Sequence, residues 1–186
     1  MWRLLMFAMT LPLQNRDREG AEVTYLITFA CYGAWLPGQA GAVPVTQNAF
    51  GARFPEADAG REQRARDAMN QEPYVLDATR RQLVLGSLQE VCSCRAWTLL
   101  AAHVRTNHVH MVVGAGCKPE SVMNAVKAYS SRVLNWVGQD GSKRRRWARH
   151  GSTRYLWTSV SVSAAIEYVV RGQGEAMSVY EMGAAD

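Results

Sequence analysis

The chain has 186 residues, which is enough for one domain with a hydrophobic core and too few for two large domains. Hydrophobic residues make up 48% and charged residues 20% of the sequence, a composition typical of globular proteins and not of disordered ones. No apolar run approaches the roughly 20 residues that a membrane-spanning helix needs, so no membrane partner is expected. The net charge of +5 suits a polyanionic partner.

The cysteines and the N-terminus indicate a compartment and a domain boundary. Cys31, Cys92, Cys94 and Cys117 lack paired C-x-x-C spacing, and a chain of this size needs no disulfide framework. We therefore expect reduced thiols and a cytoplasmic location. Residues 1–22 are expected to form a leader without fixed structure, followed by a single domain over residues 23–180.

The first half of that domain is predicted to hold one strand and one helix of the core. Residues 23–36, "VTYLITFACYGAWL", are rich in β-branched and aromatic residues and end at a Pro-Gly turn, which predicts a strand. Residues 37–76 have no sustained period and are expected to leave the core, with a short helix around residues 61–70. Asp77 is a plausible N-cap for the first core helix.

The second half continues with a hairpin, a helix, a strand and a last helix. Apolar segments at residues 96–105 and 108–115 predict the hairpin, and residues 118–138 have the apolar spacing of an amphipathic helix. Residues 153–160 are expected to form a fourth strand, and Ser163 to cap the last helix. The order βαββαβ predicts an α+β fold of the ferredoxin-like type, an antiparallel sheet with helices on one face.

The stretch "RTNHVHMVV", residues 105–113, places two of the four histidines in one predicted strand. Because side chains alternate along a strand, His108 and His110 project from one face and the apolar residues between and after them from the other. Buried imidazoles require hydrogen bonds, water or a divalent metal, so a structural role and a ligand role are both open. The last helix is expected to cover this histidine face.

A basic segment interleaved with aromatic residues precedes the last helix. Cations and rings in this arrangement are typical of grooves for single-stranded nucleic acid, although a solvated charged loop is the alternative. The residues expected to contact DNA are Lys143, Arg144, Arg145, Arg146, Trp147, Arg149 and Arg154, with Tyr155 and Trp157 beside them.

Two tyrosines are candidates for a nucleophile. Tyr129 lies on the apolar stripe of its helix, which favours a core role. Tyr168 lies off the apolar stripe of the last helix, and periodicity leaves surface exposure and catalysis equally open. Gln173 follows the helix closely enough to add an oxygen ligand to two imidazole nitrogens, a set that is acceptable to Mg²⁺ or Mn²⁺.

The ordered segments "AAHVRTNHVHMVV", "KAYSSRVLN", "HGSTRYLW" and "AIEYVVRGQGE" resemble the single-tyrosine HUH transposases, in particular the REP-associated branch. The resemblance extends from about residue 23 to residue 180 and includes "TYLITFACYGAWLPG". It implies that His108 and His110 bind a divalent metal and that Tyr168 attacks single-stranded DNA, leaving a 5′-phosphotyrosine link. In relatives a glutamine four residues after the tyrosine can complete the metal site, whereas Gln173 lies five residues after Tyr168.

The resemblance also implies the partner, a DNA hairpin with single-stranded flanks, and a protein that is a homodimer or a monomer. Two other functions stay open from the sequence. The chain could be a nucleic-acid-binding module that has lost its chemistry, or a metal-dependent hydrolase in which Tyr168 is incidental. The first alternative is favoured if His108, His110 and Tyr168 do not converge in space.

Overall fold

The computed structural model describes residues 22–39, 56–137 and 143–183. The expected leader and part of the expected excursion at residues 37–76 lie outside these ranges. The elements, in chain order, are β1 (Val23–Cys31), α1 (Ala59–Asp67), α2 (Ala78–Cys94), β2 (Thr98–Val104), β3 (His108–Ala115), α3 (Pro119–Val137), β4 (Trp147–Leu156), α4 (Ser159–Val170) and β5 (Ser178–Glu181).

The predicted α+β class with an antiparallel sheet is confirmed. Five strands form one sheet in the order β4-β1-β3-β2-β5, and every neighbouring pair is antiparallel. The first four strands in this order, β4, β1, β3 and β2, reproduce the expected βαββαβ arrangement, and β5 extends the sheet beyond β2. Within the described ranges, no helix combines the length and apolarity needed to cross a bilayer.

Helices cover both faces of the sheet, but unequally. Helices α2 and α3 pack on one face over the larger hydrophobic core, which includes Ile27, Phe29, Val109 and Met111. The other face carries α4 over a small cluster formed by Ala101, Val112, Leu156, Ala165 and Val169. Since β3 alternates between the two faces, its apolar side lies under α2 and α3, and its histidine side lies toward α4.

Two strand boundaries differ from those expected. Strand β1 ends at Cys31, and the chain turns immediately afterwards because Ala34 N–H donates to the Cys31 carbonyl oxygen at 3.2 Å. Strand β4 begins at Trp147, so half of the basic segment that was expected to be a loop is an edge strand paired with β1. Long-range pairing, which local composition does not reveal, sets both limits.

The last helix also begins earlier than expected. Thr158, and not Ser163, is its N-cap: the Thr158 hydroxyl accepts a hydrogen bond from Ser161 N–H at 3.1 Å. The Ser161 hydroxyl accepts one from Thr158 N–H, also at 3.1 Å, which completes a reciprocal capping box. Ser163 therefore lies inside α4, and the helix gains a turn that extends across the histidine face.

Lys127 and Trp147 fasten the start of β4 to α3. The buried Lys127 ammonium donates to the carbonyl oxygens of Ala148 and His150, both at 3.1 Å, and lies 5.4 Å from the Phe29 ring centroid. The Trp147 indole N–H donates to the Lys127 carbonyl oxygen at 3.0 Å. Burial lowers the pKa of Lys127 from 10.5 to about 8, because the charged form loses hydration that these partners replace only in part.

This depressed pKa predicts a pH-dependent contribution to stability. Between pH 8 and pH 10.5 the unfolded chain keeps the Lys127 proton while the folded chain releases it, so the stability of the fold rises with pH in this window. We expect the free energy of unfolding of the wild type, measured by urea denaturation, to gain roughly 3 kcal/mol over the window relative to Lys127→Met. A pH-independent difference between the two proteins would show that Lys127 titrates normally in the fold.

Candidate functional site

His108 and His110 lie side by side on the face of the sheet that α4 covers. Their ring centroids are 4.7 Å apart and the rings meet edge to face. His110 is buried and His108 is half-buried, so the pair is largely withdrawn from solvent. His108 and His110 therefore share one strand face, as the alternating sequence predicts.

One ring nitrogen of each histidine is already engaged by a neighbouring side chain. His108 Nδ1 lies 2.7 Å from Asn107 Oδ1, and a carboxamide oxygen only accepts, so Nδ1 carries the proton that it donates. His110 Nδ1 lies 2.7 Å from the hydroxyl of Thr28, which is its cross-strand partner on β1. These bonds fix both rings and leave Nε2 of each imidazole for a further partner.

Burial keeps both imidazoles neutral. It is the main cause that lowers the pKa of His108 to about 4, with a smaller contribution from the positive charge of Arg105. It likewise lowers the pKa of His110 to about 3, aided by the adjacent His108. Hydrogen bonding to the Gln173 side chain acts in the opposite direction and raises the pKa of both histidines.

Tyr168 converges on the same point from α4. Ala165 and Val169 bury the helix against the sheet, whereas Tyr168 remains half-exposed, with its ring edge-on to His110 at 5.6 Å between centroids. Helical periodicity predicts Tyr168 off the apolar stripe, and in the structure its ring lies against the His110 imidazole. Tyr129 is on α3, where the Arg132 guanidinium lies 4.5 Å from its ring centroid.

A tight turn after α4 returns Gln173 to the site. Gly172 N–H donates to the Tyr168 carbonyl oxygen at 3.0 Å, and a Cβ at this position would lie 2.8 Å from the same oxygen. Only glycine fits such a close approach. The Gln173 amide also donates to that carbonyl, at 3.2 Å. This turn brings Gln173, five residues after the tyrosine, back toward the two histidines.

His103 is a third histidine of this face, to which the sequence assigned no role. It lies opposite His110 across the β2–β3 pair and is fully buried. Its Nδ1 donates to the Val169 carbonyl oxygen at 3.0 Å, and its Nε2 accepts from Met177 N–H at 3.2 Å. Because both nitrogens are used, His103 has no lone pair left for a ligand, and it fastens α4 and the chain after it to the sheet.

A groove extends from Tyr168 toward the edge strand β4. Its volume is about 450 Å³ and it runs between α4 and the outer part of the sheet. Polar side chains of β1, β4 and α4 line it, together with small apolar ones: Leu26, Thr28, Ser152, Arg154, Ser161, Ala164, Ala165 and Tyr168. A chain that lies in this groove would pass from an arginine at the sheet edge to the tyrosine.

Two residues of the basic segment pack against the core, and their expected contact with DNA stays a prediction. Arg146 is buried, with its guanidinium 5.6 Å from the Tyr74 ring centroid. The half-buried Trp147 ring packs edge-on against Phe29 at 5.1 Å, and its N–H is bonded to α3. Both side chains therefore hold the segment against the core.

The remaining cations of the segment form an exposed strip along the edge strand. Lys143, Arg145, Arg149 and Arg154 are exposed, whereas Arg144 is half-buried and donates to the Glu72 carbonyl oxygen at 3.0 Å. The rings of Tyr155 and Trp157 stack with centroids 5.2 Å apart and planes 13° apart, on the opposite face of β4 from Arg154, where Tyr155 also meets Tyr25 of the larger core. Both rings are exposed over more than two-fifths of their surface.

The donors available for a metal are two imidazoles and a carboxamide. In residues 22–39, 56–137 and 143–183, no three side chains of His, Cys, Asp or Glu lie together as a metal-binding group. A site at His108 and His110 would therefore take its third protein ligand from Gln173. The metal-binding role of these three residues, and the catalytic role of Tyr168, stay predictions.

A comparison with solved structures finds two that are similar to this chain. One, described as a REP-associated tyrosine transposase bound to a REP hairpin, is 11% identical and has a TM-score of 0.49; the match covers 85% of this chain and 70% of that one. The other, from Deinococcus radiodurans R1 and assigned as a transposase, is 15% identical with a TM-score of 0.45, covering 88% and 98% of the two chains. No curated protein sequence matches.

A family model supplies the assignment. The model described as "Transposase IS200 like" matches residues 68–171, which is more than half of the 186 residues. The match runs from the end of α1 through α4 and includes both histidines of β3 and Tyr168. The chain belongs to the IS200-like transposase family.

Proposed function

We propose that this transposase is a metal-dependent single-stranded DNA endonuclease and strand transferase in which Tyr168 is the nucleophile. The observation that carries the proposal is the position of the Tyr168 ring against His110, within the one group that also contains His108 and Gln173. Because Tyr168 is half-exposed, its hydroxyl is accessible to a substrate. The neighbouring imidazoles can bind a divalent metal that neutralises the substrate's phosphate.

The proposed reaction conserves phosphodiester bonds. The Tyr168 oxygen attacks the scissile phosphorus, an O–P bond forms, and the bond from phosphorus to the 3′ oxygen breaks. The phenolic proton leaves to solvent or a nearby base, and the departing 3′ oxygen takes up a proton to become a hydroxyl. The protein then carries the downstream strand through its 5′ phosphate, and the 3′-hydroxyl of another strand can reverse the step to complete transfer.

His108, His110 and Gln173 would hold Mg²⁺ or Mn²⁺ at this site. The residues fit such an ion because burial keeps both imidazoles unprotonated, and because Asn107 and Thr28 engage Nδ1 of each ring and leave Nε2. Such an ion, when bound, would neutralise charge on the scissile phosphate. The protein side chains supply orientation: Thr28 and Asn107 fix the imidazoles, and His103 fixes the helix of the tyrosine.

The exposed strip of β4 is proposed to bind the DNA strand that enters the site. Arg149 and Arg154 can contact phosphates, and the stacked pair of Tyr155 and Trp157 offers flat faces to bases. The groove from Arg154 to Tyr168 connects this strip to the nucleophile. Hairpin DNA with single-stranded flanks is the proposed substrate, and the protein is proposed to act as a homodimer or a monomer.

The nucleophile is tested by Tyr168→Phe. The change removes one oxygen and little volume, so we expect it to leave stability within about 2 kcal/mol and to stop adduct formation. Hairpin DNA with single-stranded flanks is labelled at its 3′ end and incubated with Mg²⁺ or Mn²⁺, because the proposed link retains the 3′ fragment on the protein. A denaturing gel should show labelled wild-type protein and no labelled variant.

Tyr129→Phe is the matched control, since Tyr129 lies on α3 on the other side of the sheet. It should form the adduct at the wild-type rate. An adduct in Tyr168→Phe but not in Tyr129→Phe would show that Tyr129, and not Tyr168, is the nucleophile. DNA binding without an adduct in any variant, wild type included, would favour a nucleic-acid-binding module that has lost its chemistry, and cleavage without an adduct would favour a hydrolase.

The support of the histidines is tested by Thr28→Val. This substitution removes the hydroxyl that engages His110 Nδ1 while keeping a β-branched shape, so the ring loses its orientation and not its neighbours. We expect Mn²⁺ affinity, measured by calorimetry, to fall by about 10- to 100-fold. Thr24→Val alters the same strand and the same face away from the histidines and should leave affinity unchanged; equal affinities in all three proteins would exclude this role for Thr28.

The DNA strip is tested by the salt dependence of binding. Arg149→Gln with Arg154→Gln removes two exposed cations of β4, and each lost phosphate contact should reduce the slope of log affinity against log salt by roughly 0.7 on single strands. We expect the double variant to lose about 1.4 in slope. Arg132→Gln, on α3, is the control. A wild-type slope in the double variant would place the phosphate contacts elsewhere.

A further inference from the structure

The turn that follows β1 holds Trp35 in an unusual backbone conformation. Its φ is 51°, in the left-handed region, and in the described part of the chain Ala96 is the one other non-glycine residue with a positive φ. Residues with a branched or bulky side chain rarely adopt this region, because the Cβ approaches the following carbonyl oxygen. The surroundings of Trp35 must therefore impose this backbone conformation.

The surroundings fix the turn on both sides of Trp35. Tyr32 N–H donates to the Arg146 carbonyl oxygen, and the Tyr32 carbonyl oxygen accepts from Tyr74 N–H, both at 2.9 Å. On the other side Leu36 is buried, and its N–H donates to Gln39 Oε1 at 2.9 Å. A chain that is bonded this firmly at both ends can hold a strained residue between them.

The surroundings of Gly33 show how closely this turn is packed. A Cβ on Gly33 would lie 2.6 Å from the Met69 side chain and 2.9 Å from the Pro73 backbone. The turn therefore has no room to move toward the segment after α1, and Trp35 cannot relieve its backbone by shifting that way. Strain that is maintained in this manner is concentrated at sites that bind or react.

The strained backbone directs the indole to the candidate site. The ring packs against His108, with 4.8 Å between centroids and 39° between planes, yet 43% of the residue is exposed. His108 does not need the indole for orientation, because Asn107 already fixes its Nδ1. Trp35 thus holds a flat apolar surface at the rim of the histidine pair, facing solvent.

We propose that Trp35 stacks on a base of the DNA strand next to the scissile phosphate. This assignment rests on the proposed function, since the strand must pass the histidines. An indole suits this role because every base has a flat π-face, so stacking adds affinity without demanding a particular sequence. The turn also carries a cation near its start, since the Arg145 guanidinium lies 6.0 Å from the ring centroid of Tyr32.

The test separates stacking from phosphate contact. Two probes are used, a short oligothymidylate and an abasic oligomer of the same length, which has the phosphates without the bases. Binding to the full chain is measured by fluorescence anisotropy for wild type, Trp35→Leu and Trp35→Phe. Leucine keeps an apolar contact for His108 but offers no flat face, and phenylalanine keeps a smaller one. Trp136→Leu is the control, since Trp136 is an exposed tryptophan on α3.

We expect Trp35→Leu to bind the oligothymidylate about tenfold more weakly and the abasic oligomer as the wild type does. Trp35→Phe should recover most of the loss, and Trp136→Leu should change neither affinity. An equal loss for both probes, or none for either, would overturn the stacking role. So would a fall in Mn²⁺ affinity with unchanged base dependence, which would make Trp35 a positioning residue for His108.

Failure of the proposed function has a separate signature. A wild-type protein that binds neither probe and forms no adduct with hairpin DNA would overturn the proposed function and the stacking role with it. An adduct formed by the wild type, together with equal oligothymidylate binding by Trp35→Leu, would overturn the stacking role alone.

Discussion

Helix α4 crosses the histidine face of the sheet, and His103 fastens it there through both ring nitrogens. One bond reaches the Val169 carbonyl oxygen near the end of the helix, and the other reaches Met177 N–H after the turn. A ring nitrogen that stayed buried without a partner would cost about 1–3 kcal/mol, so both bonds favour the docked position of α4. Gln173 lies between these two anchors and Tyr168 directly precedes the first, so the approach of both residues to His110 depends on them.

A row of paired residues that crosses the sheet holds the site in place. Val179, His103, His110, Thr28 and Ser152 follow one another from β5 to β4 through successive strand pairs. The Thr28 hydroxyl engages the His110 imidazole directly, and Ser152 lines the groove. Geometry held by paired strands and locked rotamers is what preorganises a site for chemistry.

Local sequence patterns predicted the parts of this structure that depend on local geometry. Strand alternation placed His108 and His110 on one face, and helical periodicity placed Tyr168 off the apolar stripe. Tertiary packing determined the rest. Strand β5 has only four residues and forms because β2 offers an edge, and Arg146 and Trp147 are drawn inward by partners far away in the chain, Tyr74 and Lys127. The strain at Trp35 has no sequence signature because distant bonds impose it.

The central claim is that Tyr168 forms a covalent bond to DNA, and mass spectrometry of the digested adduct tests it most directly. Trypsin cleavage after Arg154 and Arg171 gives one peptide that contains both Tyr155 and Tyr168, and fragmentation of this peptide distinguishes the two. Incubation of the full chain with hairpin DNA and Mn²⁺ should leave a 5′-phosphonucleotide on Tyr168. A phosphonucleotide on Tyr155 or on any serine of the peptide, or cleaved DNA with an unmodified peptide, would contradict the account.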